Sequence, residues 1–574
     1  MFAPLAFTKT YSMAGAALLS ITLVPVLMGY FVRGKIRPEH KNPLNRLMIW
    51  AYRPMIRAIM HKPVTVLLTA AVLLLIGLWP ATRLGSEFMP DLNEGDLMYM
   101  PTTFPGISIG KAQQLLQQTD KLIRTVPEVK MVFGKIGRAE TATDPAPLTM
   151  IESVIQLKEQ SEWREGFTID DIKNELDQAL KIPGLTNAWV WPIKTRIDMQ
   201  STGIKTPVGI KVAGADLNVI QKIGKDIEQV LQKVPGTASA FSERVAGGRY
   251  VTIDIDREAA SRHALNIDDI QAVISTAIGG MNVTETTEGL QRYPVNLRYP
   301  RYVRDSLDQL KMLPLVTPGG HHIPLQAVAD LRIEDGPPMI KSENARLNGW
   351  IYVDIKDVDL GTYVAEARRV VAEQIDLPAG YSITWSGQYE YMLRAKEHLR
   401  IVIPVTIITI MLLLFFNFRN MTEVLIILGT LPMALIGGLW LLYLLNYNLS
   451  VAVGVGFIAL AGVAVEIGVI MLVYLKQALA SRQLEAKNTG RAMQHSDLEQ
   501  AIEDGALMRV RPIMMTVAAI IAGLLPIMLG SGTGSEVMRR IAAPMVGGMV
   551  SATILTLAVI PAVFLLWQKR KIKN

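Results

Sequence analysis

The sequence has 574 residues, half of them hydrophobic, with 58 Lys and Arg against 51 Asp and Glu, giving a net charge of +7. There is no cysteine, which excludes disulfide staples and thiolate metal sites and leaves the 28 methionines as the only soft sulfur ligands. The positive charge gathers in loops beside long apolar runs, which points to membrane topology and away from nucleic acid.

Taken in order, the first apolar run is Met13–Val32. Its positive charge follows the apolar stretch instead of preceding it, unlike a secretory signal. Arg33, Lys35, Arg37, Lys41, Arg46, Arg53, Arg57 and Lys62 fill the next loop with Glu39 as its single acid, so the loop is expected to be cytoplasmic. Within it, NPLNRLMIWAYRPMIRAIM is expected to lie on the membrane surface as an amphipathic helix interrupted at Pro54. A second run, Val64–Ala81, returns the chain to the outer side. Five more runs follow near the end: Ile401–Phe416, Val424–Leu445, Val451–Leu475, Ile513–Gly530 and Ile541–Trp567. Their connecting loops alternate between basic and free of Lys and Arg, as in NYNLS and SGTGSE, in step with seven membrane crossings. Gly454, Gly456, Ala461, Gly462 and Ala464 suit close packing of membrane helices.

Between the two groups of runs, strand-like and helix-like stretches alternate. DLMYMPTTFP, the helix beginning SIGKAQQLL, VKMVFGKIG, MIESVIQLK, the helix TIDDIKNELDQALKIPGL and TNAWVWPI follow the β-α-β-β-α-β order of a ferredoxin-like unit. VGIKVAG, LNVIQKIGKDIEQVLQKVPG and TASAFSERV open a second unit, closed much later by NGWIYVDIK, a helix and YSITWSG. The expected division is 1–82 for two membrane helices and a basic loop, 83–183 for the first subdomain, and 184–246 with 336–396 for the second. Residues 247–335 form a subdomain inserted in the second unit, and 397–574 hold five membrane helices and a cytoplasmic tail. The fold class is a helical membrane domain of seven spans with α+β subdomains on the exterior side.

Three methionines stand among polar and charged neighbours: Met100 in GDLMYMP, Met150 in ETATDPAPLTMIES and Met199 in RIDMQSTGIK. A thioether is a neutral, soft ligand suited to Cu(I) or Ag(I). The competing reading is that each fills a gap between packed elements. Glu466 lies deep in an apolar run, where a carboxylate is functional by default; proton carriage competes with a structural polar contact between helices. His321 and His322 in PGGHHIP read as an exposed turn before they read as a metal pair. Trp189 and Trp191 either wall a cleft near the methionines or pack in a core. No phosphate-binding glycine loop and no nucleophile–base arrangement is present, so neither ATP chemistry nor an enzyme is expected.

FAPLAFTKTYSMAGAALLSI, GSEFMPDLNEGDLMYMP, GKIGRAETATDPAPL, RIDMQSTGIK, ENARLNGWIYVDI, SGQYEYMLRA, SVAVGVGFIALAGVAVEIGVIML and RVRPIMMTVAAIIAGLLP are long matches. Through them the chain resembles the C-terminal half of a heavy-metal resistance–nodulation–division efflux pump of the copper/silver exporter type. The resemblance implies Cu(I) or Ag(I) bound by Met100, Met150 and Met199 in a periplasmic cleft, supported by Glu152, Arg196 and Lys205. It implies a methionine relay that includes Met13, Met28 and Met538, and a proton relay that includes Glu466. It also implies no cofactor, an inner-membrane location, a homotrimer, an N-terminal half, a periplasmic adaptor, an outer-membrane channel, and surrounding lipid. Two positions depart from the pattern: Ile513 stands where the family has a lysine, and Met281 is displaced by one position. The chain alone is expected to be incomplete as a pump, because paired halves enclose the pathway in such transporters. A pump for divalent metals or organic amphiphiles, or a non-transporting scaffold or remnant, are the competing readings.

Overall fold

The computed structural model describes residues 3–32, 43–90, 92–103, 105–137, 147–491, 493–530, 532 and 534–573. Arg33, Lys35, Arg37 and Lys41 of the basic loop, and Glu140–Ala146 of the methionine-bearing stretch, lie outside the described residues.

The chain opens with α1 (Ala3–Phe31), α2 (Pro43–His61) and α3 (Pro63–Gly77). The expected helix forms as α2, but its interruption does not: the helix runs through Pro54. Tyr52, Ile56, Ile59 and Met60 recur at helical spacing and are buried against the membrane helices. The Tyr52 hydroxyl donates to the Leu557 carbonyl at 2.7 Å, and Arg57 donates to Glu503 at 3.0 Å. These contacts support the helix across the one backbone bond that proline removes.

The first exterior unit contains β1 (Asp96–Tyr99), α4 (Ile109–Ile123), β2 (Val129–Ile136), β3 (Ile151–Leu157), α5 (Ile169–Ala179) and β4 (Trp189–Val190). The sheet order is β2-β3-β1-β4, with every pair antiparallel. Ser108 caps α4, and Thr168 with Asp171 forms a capping box on α5, so both helices begin where local sequence dictates. Leu97, Tyr99, Ile155, Ile172 and Leu176 are among the residues of its core. Met98 of β1 stands opposite Val190, so this sheet closes beyond residue 183, where the sequence reading had ended the subdomain.

After α6 (Pro192–Thr202), the second unit begins with β5 (Val208–Gly214), α7 (Leu217–Leu231) and β6 (Thr237–Ser242). An insertion follows. Its stem is β7 (Gly248–Ile255) paired with a returning strand, Ala329–Gly336, over their whole length, and it encloses its own core around Leu265, Ile270, Leu313 and Leu325. A hairpin of β8 (Met281–Glu288) and β9 (Gln291–Leu297) projects from it with every residue exposed. With β10 denoting Ala329–Gly336, the chain re-enters the second unit as β11 (Arg346–Ile355), α8 (Leu360–Gln374) and β12 (Ser382–Gly387). The sheet path β6-β11-β5-β12 repeats the strand order of the first unit.

The last third is helical: α9 (Gln388–Phe418), α10 (Met421–Leu428), α11 (Leu431–Leu444), α12 (Val451–Asn488), α13 (His495–Leu529) and α14 (Ser535–Lys573). Among the described residues, seven helical spans are long and apolar enough to cross a membrane, with α10 and α11 counted as one. Glycine permits the closest approach between them: a Cβ on Gly437 of α11 would sit 2.1 Å from the Gly547 carbonyl of α14. Gly456 and Ala464 of α12 are buried as expected, whereas Gly454 and Gly462 face open space.

A short segment, Gly85–Phe88, joins the helical part to the second exterior unit. Glu87 N–H donates to the Leu449 carbonyl at 2.9 Å, and its carboxylate accepts from Asn448 at 3.0 Å and Arg540 at 3.3 Å. Ser86 N–H donates at 2.8 Å to Asp359, the residue that caps α8.

Candidate functional site: a methionine face beneath the second unit

On β1 the side chains alternate between two faces. Leu97 and Tyr99 enter the core of the first unit. Met98 and Met100 point to the other face, where they form a separate buried cluster with Val190, and Val154, Met150 and Met199 pack against it. Three methionines separated by about fifty residues at each step thus come together. Met100 is fully buried, while Met150 and Met199 are half-buried.

Each reaches its place by a different device. Met100 N–H donates to the Ala188 carbonyl at 2.9 Å, which fixes the end of β1. Met150 stands opposite Thr102 in an isolated antiparallel bridge. Met199 rides on α6, a helix whose sequence has little amphipathic character of its own. Its start is held from far away: the Glu94 carboxylate accepts from Ile193 N–H at 2.8 Å and Lys194 N–H at 2.9 Å. Its end is Gly203 at φ 79°, where a Cβ would lie 2.3 Å from the Trp350 ring. Glycine is required there twice over, for the left-handed turn and for the aromatic ring beside it.

The charged residues expected beside the methionines are also there. Glu152 is 5% exposed; Lys135 pairs with it at 3.0 Å and Arg196 at 3.7 Å. Lys205 is 6% exposed, and its ammonium donates to the Met100 carbonyl at 2.9 Å and to the Thr102 hydroxyl at 2.6 Å. Burial pushes the Lys205 ammonium down to about 8, partly offset by Glu243 and Glu152. It lies 5.3 Å from the centre of the Tyr352 ring, whose hydroxyl donates to Glu243 at 2.7 Å. Lys341 pairs with that same Glu243 at 2.5 Å. Lys205 therefore bridges β1 of the first unit and the outer face of β11 in the second.

Sequence reasoning did not single out Met98, Lys135, Thr102 or Glu243. Met98 was readable in principle, since positions two apart on a strand share a face. Lys135 was not, because its pairing with Glu152 follows from the register of β2 on β3. Trp189 and Trp191 belong to the core of the first unit: the Trp189 ring lies tilted against Tyr99 with ring centres 4.8 Å apart and its N–H donates to Asp177, and neither lines the methionine face. His321 and His322 are exposed at a strand turn. Among the described residues no group of three or more His, Cys, Asp or Glu is placed to hold a metal ion.

The remaining predicted residues lie apart from this cluster. Met13 and Met28 are 63% and 56% exposed on α1, and Met538 is 40% exposed on α14. Met281 is exposed on the hairpin, and Ile513 is buried among the membrane helices. Glu466 is exposed on α12. It shares a helix face with Gly454, Ile458 and Gly462, at intervals of four, and no described element of this chain covers that face.

The chain matches the AcrB/AcrD/AcrF family over residues 1–568. It belongs to that family. Cation efflux system protein CusA of Escherichia coli is 52% identical over 571 residues, covering 99% of this chain and 54% of the relative. Putative cation efflux system protein SilA of Salmonella typhimurium is 51% identical, covering 100% and 55%. The cobalt-zinc-cadmium resistance protein CzcA of Cupriavidus metallidurans is 34% identical, covering 99% and 53%. The crystal structure of a heavy metal efflux pump superposes with a TM-score of 0.80 at 30% identity, over 91% of this chain and 52% of that one. The chain thus spans about half the length of the curated relatives it matches. Within the family it resembles the heavy-metal exporters of copper/silver type, which are transporters and not enzymes. It is a multi-pass inner-membrane protein with a periplasmic domain.

Proposed function

We propose that this chain carries the ion-binding cleft of a proton-driven inner-membrane exporter of Cu(I) or Ag(I). The observation that supports this most is the meeting of Met100, Met150 and Met199 in one cluster, against the buried Glu152 and Lys205. Thioethers hold a soft cation without deprotonation, while Glu152 is paired with Lys135 and Lys205 donates to the Met100 carbonyl. The substrate is the ion, and no cofactor is invoked. CusA and SilA, at about half identity, are named as cation efflux proteins. CzcA, named for cobalt, zinc and cadmium, is more distant, and the described residues offer no cluster of hard or imidazole ligands that a divalent ion would favour.

In this reading the seven spans cross the inner membrane, the two β-α-β-β-α-β units are porter subdomains, and the insertion with its exposed hairpin docks on neighbours. The partners are residues equivalent to the other half of the relatives' length, two further copies in a homotrimer, a periplasmic adaptor and an outer-membrane channel. Met13, Met28 and Met538 hand the ion on within the membrane. Glu466 exchanges protons on a helix face that the other half covers, since glycines clear that face for a partner helix.

The test is ion choice by the full chain in lipid nanodiscs. Ag(I) is expected to bind more tightly than Zn(II), and equal or tighter Zn(II) binding overturns the proposal. For the proton role, the chain is expressed with a segment equivalent to the rest of the relatives' length and metal tolerance is scored. Glu466→Gln is expected to abolish tolerance; normal tolerance makes Glu466 structural.

A further inference from the structure

The methionine cluster contains one thioether more than the three considered so far. Met98 of β1 is 5% exposed and lies two residues before Met100, which directly follows the strand, on the same face of the sheet. It is not part of the apolar core of its unit, which Leu97 and Tyr99 enter from the opposite face. In the register it stands between Val154 of β3 and Val190 of β4, and these two branched side chains wall it in on either side. All of its apolar cluster partners are Met100, Val190, Val154, Met150 and Met199. Positions two apart on a strand are separated by about 6.6 Å along the chain. Two unbranched side chains with three rotatable bonds each can close that gap onto one ion. Val154 and Val190 cannot ligate, and among the described residues of this buried cluster Met98 is the sulfur on that side of Met100.

We infer that Met98 is a fourth thioether of the cleft, lying behind Met100, and that the soft ion has two adjoining positions along β1. The outer position is formed by Met100 with Met150 and Met199, both of which are partly open to solvent. The inner one is formed by Met98 with Met100, both of which are closed off. The shared Met100 lets the ion pass from one position to the other without being released, because a sulfur with a flexible stem exchanges partners readily. This inference rests on the methionine reading of the site and adds a ligand to it.

The experiment uses the full chain in nanodiscs with Ag(I) as the probe, and two readouts. In the first, Met98→Leu, which keeps volume and apolarity, is titrated beside Met100→Leu and Met131→Leu. Met131 is on the same sheet face but on the edge strand, half exposed, and serves as the control. Met98→Leu is expected to weaken Ag(I) binding by about tenfold, with Met131→Leu unchanged. In the second, the unmutated chain carries 13C in its methionine methyl groups. The Met98 methyl resonance is expected to move together with that of Met100 as Ag(I) is added. This readout needs no variant and stands even if Met98→Leu fails to fold.

If Met98→Leu binds as the parent does and its methyl resonance stays still while Met100→Leu weakens binding, the inference is overturned and the three-thioether site remains. If Met100→Leu also binds normally, the methionine reading itself falls. If Met131→Leu weakens binding as much as Met98→Leu, the effect is not specific to this position and the inference is likewise overturned.

Discussion

The two exterior units share one strand order and an apolar core, yet their outer faces differ in what accompanies a Lys–Glu pair. In the first, Leu97, Tyr99, Ile155 and Leu157 enter the core and the outer face of β1 and β3 carries Met98, Met100, Val154 and Glu152. In the second, Val208, Ile210, Val212, Ile351 and Val353 fill the core, and the outer face carries Lys211, Trp350 and Tyr352 with Glu243 and Lys341 beside them. Trp350 takes the Lys341 ammonium at 3.7 Å from its ring centre. The inner face of each sheet makes the fold, and the outer face is free to differ. Lys205 ties the two outer faces together.

The largest effect tests the sameness of the cores. Ile155→Ala in the first unit and Ile351→Ala in the second each remove a fully buried branched side chain. Each is expected to destabilise its own sheet by about 2–5 kcal/mol. Hydrogen exchange of the backbone amides in each sheet reads it. If one sheet lost protection and the other did not, the cores would not be equivalent.

The next effect tests the difference between the faces. Met100→Ile with Met150→Ile is expected to lower Ag(I) affinity by about a hundredfold, roughly 2.7 kcal/mol, with little change in thermal midpoint. Trp350→Phe with Tyr352→Phe on the other face is expected to leave Ag(I) affinity within about twofold. Comparable losses from the second pair would erase the distinction.

A smaller effect concerns the tie between them. Lys205 has its folded pKa lowered from 10.5 to about 8. Below about pH 8 the ammonium is charged in the folded and unfolded chain alike, and its desolvation opposes folding in full. Between about 8 and 10.5 the unfolded chain binds more protons, so stability rises with pH, by about 1–3 kcal/mol. Lys205→Met is expected to flatten that rise in a series of unfolding midpoints from pH 7 to 10.5. An unchanged slope would remove Lys205 from the account.

The smallest effect lies on the solvent side of the second unit. Arg369 on α8 pairs with Glu366 at 2.6 Å and with Glu373 at 2.7 Å, all three side chains being about half exposed. Arg369→Ala is expected to leave the thermal midpoint within error of the parent, because exposed ion pairs are screened by water. A shift several times larger would show that a solvated helix face carries weight that neither sheet face explains.

Much of this was legible beforehand because it is written in short-range periodicity. Runs such as Val451–Leu475 announce membrane helices by length, and VGIKVAG announces a strand by alternation. The insertion was legible because β11 resumes an interrupted β-α-β order. Other features failed to show for equally local reasons. RIDMQSTGIK carries no helical stripe; α6 forms because Pro192 opens it, Gly203 closes it and Glu94 anchors it from 99 residues away. Pro54 looked like a break, and α2 passes through it because one face is buried against helices five hundred residues later.

The sequence by itself determined the division into apolar and polar regions, the supply of sulfur without thiolate, and the strands and helices of both units. These depend on residue type and on spacings of two to four, which no distant contact alters. Tertiary structure decided which methionines meet, that Lys135 is the near partner of Glu152, that Lys205 reaches across to Met100, and that Trp189 and Trp191 serve the core. Those outcomes follow from strand register and from which sheet face meets a neighbour. A shift of one residue in either would send the same side chains to the opposite side.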